Sequence, residues 1–340
     1  MSDVCLAELD FENTQLKCEN SMLKLDGTLL MLDKALSMYD YATKYGIDRA
    51  FVRMHNTHSE LDALAGMVYP SNESFDGFDV DLAKYKQVCM EGILEAITNA
   101  VKWVIEKLKA LCSWISEMFD KFVDLFRNKS KDNKKEIKAL RAVRMSDDEF
   151  DVEVVSTKAV AKYKEILQKI EAESNTDAFV PGADEHTQLQ LLEYLKTFTT
   201  KNKNEHIEKI TISDTAGKDR VLNIADRTTQ DFENLITAIG RVIATNKQKI
   251  ATYEKREQDL TKQLANNNNG DVKTKLASFK SSIKRYKTTV SVLSKLLKLI
   301  LDDTNITAGM LNSIKKHIVG AEKQATNIDK QSQTLPQTNP

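Results

Sequence analysis

The distribution of proline constrains this chain more than any other feature of its sequence. The 340 residues contain four prolines, at positions 70, 181, 336 and 340. Proline lacks a backbone N–H and clashes with the preceding helical turn, so it ends or kinks helices. The intervals 71–180 and 182–335 are free of it and can hold long helices, while 41% hydrophobic residues can supply a core. We therefore predict a mainly α-helical protein.

Apolar residues recur at three- and four-residue steps in several long segments, which is the pattern of an amphipathic helix. Gly46 is expected to be a C-cap, because glycine adopts the left-handed conformation that ends many helices. A Ser/Thr cap is expected before the helix that starts near Thr157. The predicted helices are 11–45, 48–67, 93–126, 157–174, 187–201 and 305–326.

Two further segments, 232–264 and 272–300, keep a heptad rhythm of apolar residues and are separated by the Asn/Gly-rich run 266–270. Helices of similar length joined by a tight turn are expected to pair antiparallel. A strand is predicted at 149–156, and a β-hairpin is predicted from 207–213 and 220–224. The expected fold is a mainly α, elongated multi-helix protein with an antiparallel coiled-coil hairpin and a small β-hairpin.

The net charge of −1 conceals a strong asymmetry along the chain. Residues 1–91 hold 16 acidic and 8 basic residues, a net charge of −8, and the remainder has a net charge of +7. Turn formers and acidic residues crowd 68–91, which predicts a loop or partly disordered connector, with one helical turn near 81–88 as an alternative. The predicted organisation is an acidic helical segment with connector at 1–91, an amphipathic helix and basic stalk at 92–145, a helical body at 146–326 and a disordered tail at 327–340.

The segment from Val272 to Leu301 contains eight Lys/Arg residues and no acidic residue. A solvated coiled-coil face explains lysines on such a helix, but an ordinary solvated face mixes both signs. A surface of one sign favours polyanions, because binding releases their counterions. The alternative interpretation of this segment is therefore that it contacts DNA without sequence specificity. The candidate residues are Lys273, Lys280, Lys284, Arg285 and Lys287.

Both tryptophans of the chain lie in the 93–126 helix, followed by a Lys/Arg-rich run at 127–144. Three interpretations remain open for its apolar face: a buried core helix, pairing within an oligomer, or binding at a membrane interface. The face consists of Trp103, Leu108, Trp114, Phe119, Phe122 and Phe126.

Sequence motifs of catalysis are missing from the chain. It contains no Gly-rich phosphate loop, no GxSxG and no HExxH. His55 and His58, with Glu60 and Asp62 nearby, are better explained by a polar helix face than by a metal site. We therefore expect no enzyme, no catalytic residue, no metal and no cofactor. The cysteines, Cys5, Cys18, Cys89 and Cys112, have no metal-binding spacing and are expected to be free thiols.

The tripeptide Cys89-Met90-Glu91 stands before Gly92, where the charge of the chain changes sign. A second such tripeptide, Ser71-Asn72-Glu73, stands before Ser74. The acidic helical N-terminal part, these junctions and the Trp/Phe-rich helix with its basic run resemble internal head (inner-body or core) virion proteins of large contractile-tailed bacteriophages. The stretches "DRAFVRMHN" and "YPSNESF" resemble the end of their propeptides.

The resemblance implies a structural capsid component made with an acidic propeptide, which a prohead protease removes by cutting after Glu91 or Glu73. Implied partners are that protease, other capsid or core proteins and packaged DNA, bound without sequence specificity. The protein would be made in the host bacterial cytoplasm and then occupy the virion interior or be ejected with DNA. Two alternatives remain: a cytoplasmic membrane-surface or pore-forming protein that uses the 93–126 helix, and a scaffold that forms homo-oligomers through the 227–302 hairpin.

Overall fold

The computed structural model describes residues 3–48, 51, 82–145, 149–175, 206–265 and 269–332. Within them, five helices and two short strands confirm the mainly α prediction. In chain order these are α1 (Asp3–Tyr45), α2 (Leu82–Arg141), β1 (Phe150–Val155), α3 (Thr157–Asn175), β2 (Ile207–Ile212), α4 (Thr215–Ala265) and α5 (Asn269–Ser332).

Four long helices, α1, α2, α4 and α5, pack as an up-down-up-down bundle. Antiparallel packing of α1 on α2 follows from two contacts: the Lys121 ammonium bonds Asp10, and Lys17 lies over the Trp114 ring. At the α4–α5 turn, Lys275 donates a hydrogen bond to Gln263 at 3.2 Å. Each long helix therefore reverses the direction of the one before it.

The predicted heptad positions of α4 and α5 form the bundle core. In α5 every described position of the heptad series has an exposed fraction of 4% or less. The buried α5 positions are Leu276, Phe279, Ile283, Tyr286, Val290, Leu293, Leu297 and Ile300. The antiparallel hairpin is confirmed, although its seam also packs against α2 and belongs to a larger core.

Two predicted helix ends are confirmed by their capping geometry. Gly46 has φ of 80° and its backbone N–H bonds the Ala42 carbonyl oxygen at 3.0 Å. Glycine tolerates this left-handed conformation because it has no Cβ. At the start of α3, the backbone N–H of Lys158 donates to Ser156 Oγ at 3.2 Å. Ser156 is therefore the N-cap of α3.

The small antiparallel sheet is confirmed, but its predicted hairpin is wrong. β2 pairs with β1, from Phe150 opposite Ile212 to Val155 opposite Ile207, rather than with 220–224. Residues 220–224 lie in α4, where Val221 and Leu222 are buried in a second core beside the sheet. The expected turn is instead a helix start, because Asp214 Oδ1 accepts the Gly217 N–H at 2.6 Å.

The predicted connector is wrong over 82–91, where the single helical turn considered near 81–88 is instead the first part of the long helix α2. Cys89 is 2% exposed and Ile93 is 3% exposed, so this start of α2 packs against the same core as the rest. No proline or glycine interrupts 82–91, and tertiary packing outweighs its polar composition. The predicted basic stalk is likewise helical, with its Ile137 and Leu140 buried beside the sheet.

The prediction of a separate helix at 305–326 is also wrong, because α5 runs without a break from Asn269 to Ser332. Its middle carries Asp303 and Thr304, both buried and hydrogen-bonded, in place of a turn. Residues 327–332 of the predicted tail form the last helical turns. The predicted helices 48–67 and 187–201, apart from Asp48 and Phe51, lie outside the described residues.

Gly240 provides a test of the α2–α4 packing. A Cβ at Gly240 would lie 3.0 Å from Phe119 Cζ, whereas a Cβ at Gly309 would meet nothing within 4 Å. We expect Gly240→Leu to lower the free energy of unfolding by about 1–3 kcal/mol through overpacking. Gly309→Leu should leave it unchanged or raise it, because leucine favours helix over glycine. Urea unfolding of both variants measures the difference, and equal stabilities would contradict this packing.

Candidate nucleic-acid interface

Two of the five basic residues predicted to contact DNA are paired with acidic residues of α1. The Lys280 ammonium bonds Asp33, and the Lys287 ammonium bonds Asp26. Lys284 is exposed between them, and Arg285 is partly buried beside Tyr253. Lys273 lies in α5, but its side chain is outside the described residues. In this structure α1 therefore covers part of the predicted DNA surface.

Carboxylates nearer the start of α1 pair with lysines of α2. Glu8 Oε1 lies 2.7 Å from Lys129 Nζ, and Asp10 Oδ2 lies 3.0 Å from Lys121 Nζ. A hydrogen bond to Glu117, together with Asp10, raises the pKa of Lys121. Exposed ion pairs contribute roughly 0–1 kcal/mol each, so their main effect is on the electrostatic potential rather than on stability.

Apolar residues on the inner face of α1 attach this helix to the bundle. Phe11 packs against Phe122 of α2 with ring centroids 6.0 Å apart. Cys18, Leu25 and Leu32 on the same face are fully buried. Burying one such side chain is worth about 1.5–3 kcal/mol, more than an exposed ion pair. The apolar face therefore holds α1 in place, and the flanking carboxylates align with lysines of α2 and α5.

Sequence reasoning identified the lysines but not their counter-ions. A signal was present: Asp26 and Asp33 are seven residues apart, as are Lys280 and Lys287. Two antiparallel helices with matching seven-residue spacing bring both pairs together on one side. Recognising the match required knowledge that α1 and α5 are neighbours.

The apolar face of the 93–126 segment is buried in the bundle. Leu108 and Phe122 are fully buried, Phe126 is 5% exposed and Phe119 is half-buried. Trp114 is half-buried, and the Lys17 ammonium lies 5.0 Å from its ring centroid. Trp103 is the most exposed of the six, at 39%. The core-helix interpretation is confirmed in this structure.

A search for membrane-spanning segments among the described helices found no stretch of sufficient length and hydropathy. Binding of α2 to a membrane surface would require its apolar face to leave the helices that now cover it.

The main predicted cleavage site lies within α2. Glu91 is exposed and accepts a hydrogen bond from the Gln87 side chain at 2.9 Å, whereas Cys89 and Gly92 are buried and Met90 is half-buried. The expectation that this junction lies in a loop or connector is therefore wrong for the folded protein, and a protease needs the start of α2 to open. Residues 71–74, the second predicted site, lie outside the described residues.

The described cysteines, Cys18, Cys89 and Cys112, are buried and carry thiols rather than disulfides. Burial raises the pKa of Cys18 to about 12, which keeps this thiol protonated and unreactive. In the part of the chain that the structure describes, no group of acidic, histidine and cysteine side chains could hold a metal ion. His55, His58, Glu60 and Asp62 lie outside that part.

A buried polar cluster joins α3, the residue just before β2 and α5. Asp303, which has no exposed surface, accepts hydrogen bonds from the Tyr163 hydroxyl at 3.0 Å and from the His206 ring. Burial raises the pKa of the Asp303 carboxyl, and its two donors oppose that rise. Because these groups satisfy one another inside the core, we interpret the cluster as a structural link between the sheet and the bundle.

Asp303 and its exposed neighbour Asp302 form a matched pair for testing this link. Asp303→Ala should lower the free energy of unfolding by about 3 kcal/mol, because Tyr163 and His206 lose a buried acceptor. Asp302→Ala should change it by less than about 0.5 kcal/mol, as is usual for surface substitutions. Chemical denaturation of both variants measures the difference. Similar small losses in both would show that the cluster does not hold the sheet to the bundle.

Comparison of the chain with protein-family models, curated proteins and solved structures found no match.

Proposed function

We propose that this chain is a structural internal head protein of a tailed phage, whose acidic segment 1–91 is a propeptide that masks a DNA-binding surface until it is removed. The observation that supports this most directly is the pairing of Asp26 and Asp33 with Lys287 and Lys280 of α5. Two of the residues predicted for DNA contact on sequence grounds thus have carboxylate partners in the predicted propeptide. The protein would have no enzymatic activity.

The proposed mask acts through local electrostatics. A DNA phosphate can approach these lysines only by displacing carboxylates already at hydrogen-bond distance, at a cost in Coulomb energy. Removal of residues 1–91 takes away a net charge of −8 and leaves a product of +7. The product would attract DNA through counterion release and bind it without reading sequence.

Cleavage alone would not release α1, because its inner face is buried against α2. Cutting the connection turns an intramolecular contact into a bimolecular one, so the effective concentration of α1 near its lysines falls. DNA at the high concentration of a filled head could then compete for Lys280 and Lys287. Two events are therefore needed under this proposal: opening of the start of α2 for the protease, and displacement of α1.

The N-terminus of the protein isolated from its native particle or cell tests the processing. Mass spectrometry or Edman sequencing should find Gly92 if the cut follows Glu91, and Ser74 if it follows Glu73. Glu91→Gln, with Glu73→Gln as its matched control, should prevent only the cut at its own position. A chain that still begins at Met1 or Ser2 in the mature particle would contradict the propeptide.

The DNA-binding part of the proposal is tested by neutralising Asp26 and Asp33 without cutting the chain. The full-length variant Asp26→Asn/Asp33→Asn should bind duplex DNA more tightly than the unaltered protein. The slope of log K against log salt should steepen by about 2, because two more lysines are available to phosphates. Fluorescence anisotropy of a labelled duplex at several salt concentrations measures both.

The matched control for this experiment is Glu95→Gln/Glu106→Gln. It removes the same charge from exposed positions of α2. We expect it to change DNA affinity much less, because neither residue pairs with Lys280 or Lys287. If both double variants changed DNA affinity equally, the affinity would depend on net charge alone. That result would contradict specific masking of Lys280 and Lys287 by Asp26 and Asp33.

A further inference from the structure

Helix α1 carries a second apolar stripe, on the side opposite its buried face. Five leucines on this side are 43–68% exposed, and four of them recur every seven residues. A contiguous exposed stripe of large apolar residues is unusual on a soluble surface and marks an interaction site. The stripe consists of Leu6, Leu9, Leu16, Leu23 and Leu30.

The residues between these leucines complete a heptad pattern. With Leu9, Leu16, Leu23 and Leu30 at position d, the a positions are Leu6, Asn13, Asn20 and Gly27, and all eight are exposed. Leucine at d is typical of parallel two-stranded coiled coils, and a buried asparagine at a specifies two strands and their register. The spacing therefore fits a second helix of the same kind. We call these eight residues the outer seam.

Charges beside the outer seam favour one particular partner. Glu12 and Glu19 occupy g positions, and Lys17 and Lys24 occupy e positions, all of them exposed. In a parallel, in-register pair of identical helices, g of one chain meets e five residues later in the other. Glu12 would meet Lys17 of the second copy, and Glu19 would meet Lys24 of the second copy.

Other arrangements lack this complementarity. In an antiparallel pair g faces g, so Glu12 and Glu19 would face carboxylates of the other chain, and like charges at such positions are unfavourable. Beyond Lys24 the flanking g residues, Asp26 and Asp33, already bond lysines of α5. The complementary part of the seam is thus its N-terminal half.

We propose that two copies of this chain dimerise through the outer seam of α1, as a parallel, in-register coiled coil. The seam lies opposite the face that packs on α2, so neither chain has to unfold to form the dimer. Leu6 to Leu30 spans about 36 Å of helix at 1.5 Å per residue. Two asparagines and a glycine among its a positions lower its stability, so the dimer should dissociate on dilution. This proposal does not depend on the proposed function.

Molar mass of the full chain as a function of concentration tests the dimer. By sedimentation equilibrium, the unaltered protein should move from monomer to dimer as concentration rises. Leu16→Gln/Leu23→Gln should remain monomeric with an unchanged circular dichroism spectrum, since both side chains are exposed. Trp103→Gln, which alters an exposed apolar residue of α2, should dimerise normally.

Two results would overturn the proposal at this stage. One is an unaltered protein that stays monomeric throughout the concentration range. The other is a dimer that persists in Leu16→Gln/Leu23→Gln, which would place the contact on another surface, such as the α4–α5 hairpin.

A charge exchange between chains tests the parallel direction. Glu19→Lys puts two lysines opposite each other in its own dimer, and Lys24→Glu puts two glutamates there, so each variant alone should dimerise less than the unaltered protein. An equimolar mixture should form a heterodimer, because the two introduced charges, at 19 of one chain and 24 of the other, then attract each other, and the native Glu19 and Lys24 form the second opposite-charge pair. Failure of the mixture to recover would contradict the parallel arrangement.

A cysteine at an a position tests the register. In an in-register parallel dimer, position 20 of one chain meets position 20 of the other, so Asn20→Cys should form a disulfide-linked dimer under mild oxidation. Ser113→Cys, exposed on α2, should not exceed the cross-linking of the unaltered chain. Equal cross-linking of both variants would overturn the assigned register.

Discussion

The burial of α2 by three other long helices is the interaction on which the remaining structure depends. Its apolar positions advance by three and four residues and face α1, α4 and α5. Ile97, Val101, Val104, Leu108, Leu111, Ile115, Met118 and Phe122 are each 1% exposed or less. A helix buried on so wide an arc cannot lose one neighbour without exposing apolar surface to water.

This packing makes α1 an integral part of the intact fold. A segment that serves only as a detachable mask needs charge complementarity, but α1 also buries Phe11, Cys18, Leu25 and Leu32. Its removal in the proposed maturation would expose part of α2, and the product would have to cover that surface by repacking or by contact with another protein. Proteolysis would then change the packing of the bundle as well as its charge.

The sequence predicted the helices well where burial and periodicity coincide. The described apolar heptad positions of α4 and α5 are buried because one stripe of each helix faces the core there. The errors arose where a local signal has two physical meanings. Asp214 and the residues after it suggest a β-turn, yet the same Asp side chain caps α4. The partner of β2 lies in β1, across a long connection that includes α3, and local composition carries no information about it.

At the candidate interface too, the sequence predicts some features, and others depend on tertiary packing. A stretch of α5 without acidic residues marks Lys280, Lys284 and Lys287 from sequence alone. The pairing of Lys280 and Lys287 with carboxylates depends on which helix lies beside α5 and in which direction it runs, and that is set by the hydrophobic core. The connector at 82–91 was misassigned for the same reason, because Cys89 and Ile93 are held in α2 by packing against residues distant in sequence.

The acidic residues at 12, 19, 26 and 33 form one row of g positions along α1, but their surroundings differ along its length. Asp26 and Asp33 reach Lys287 and Lys280, whereas Glu12 lies near Asp302 of α5. Although Asp302 is exposed, partial desolvation raises the pKa of its carboxyl, and Glu12 is among the carboxylates that add to the rise. The second half of the row thus has cations within its own chain, whereas Glu12 in the first half has a carboxylate near it. A second copy of α1 would place Lys17 and Lys24 beside Glu12 and Glu19, so the proposed dimerisation and the proposed masking use different parts of the same row.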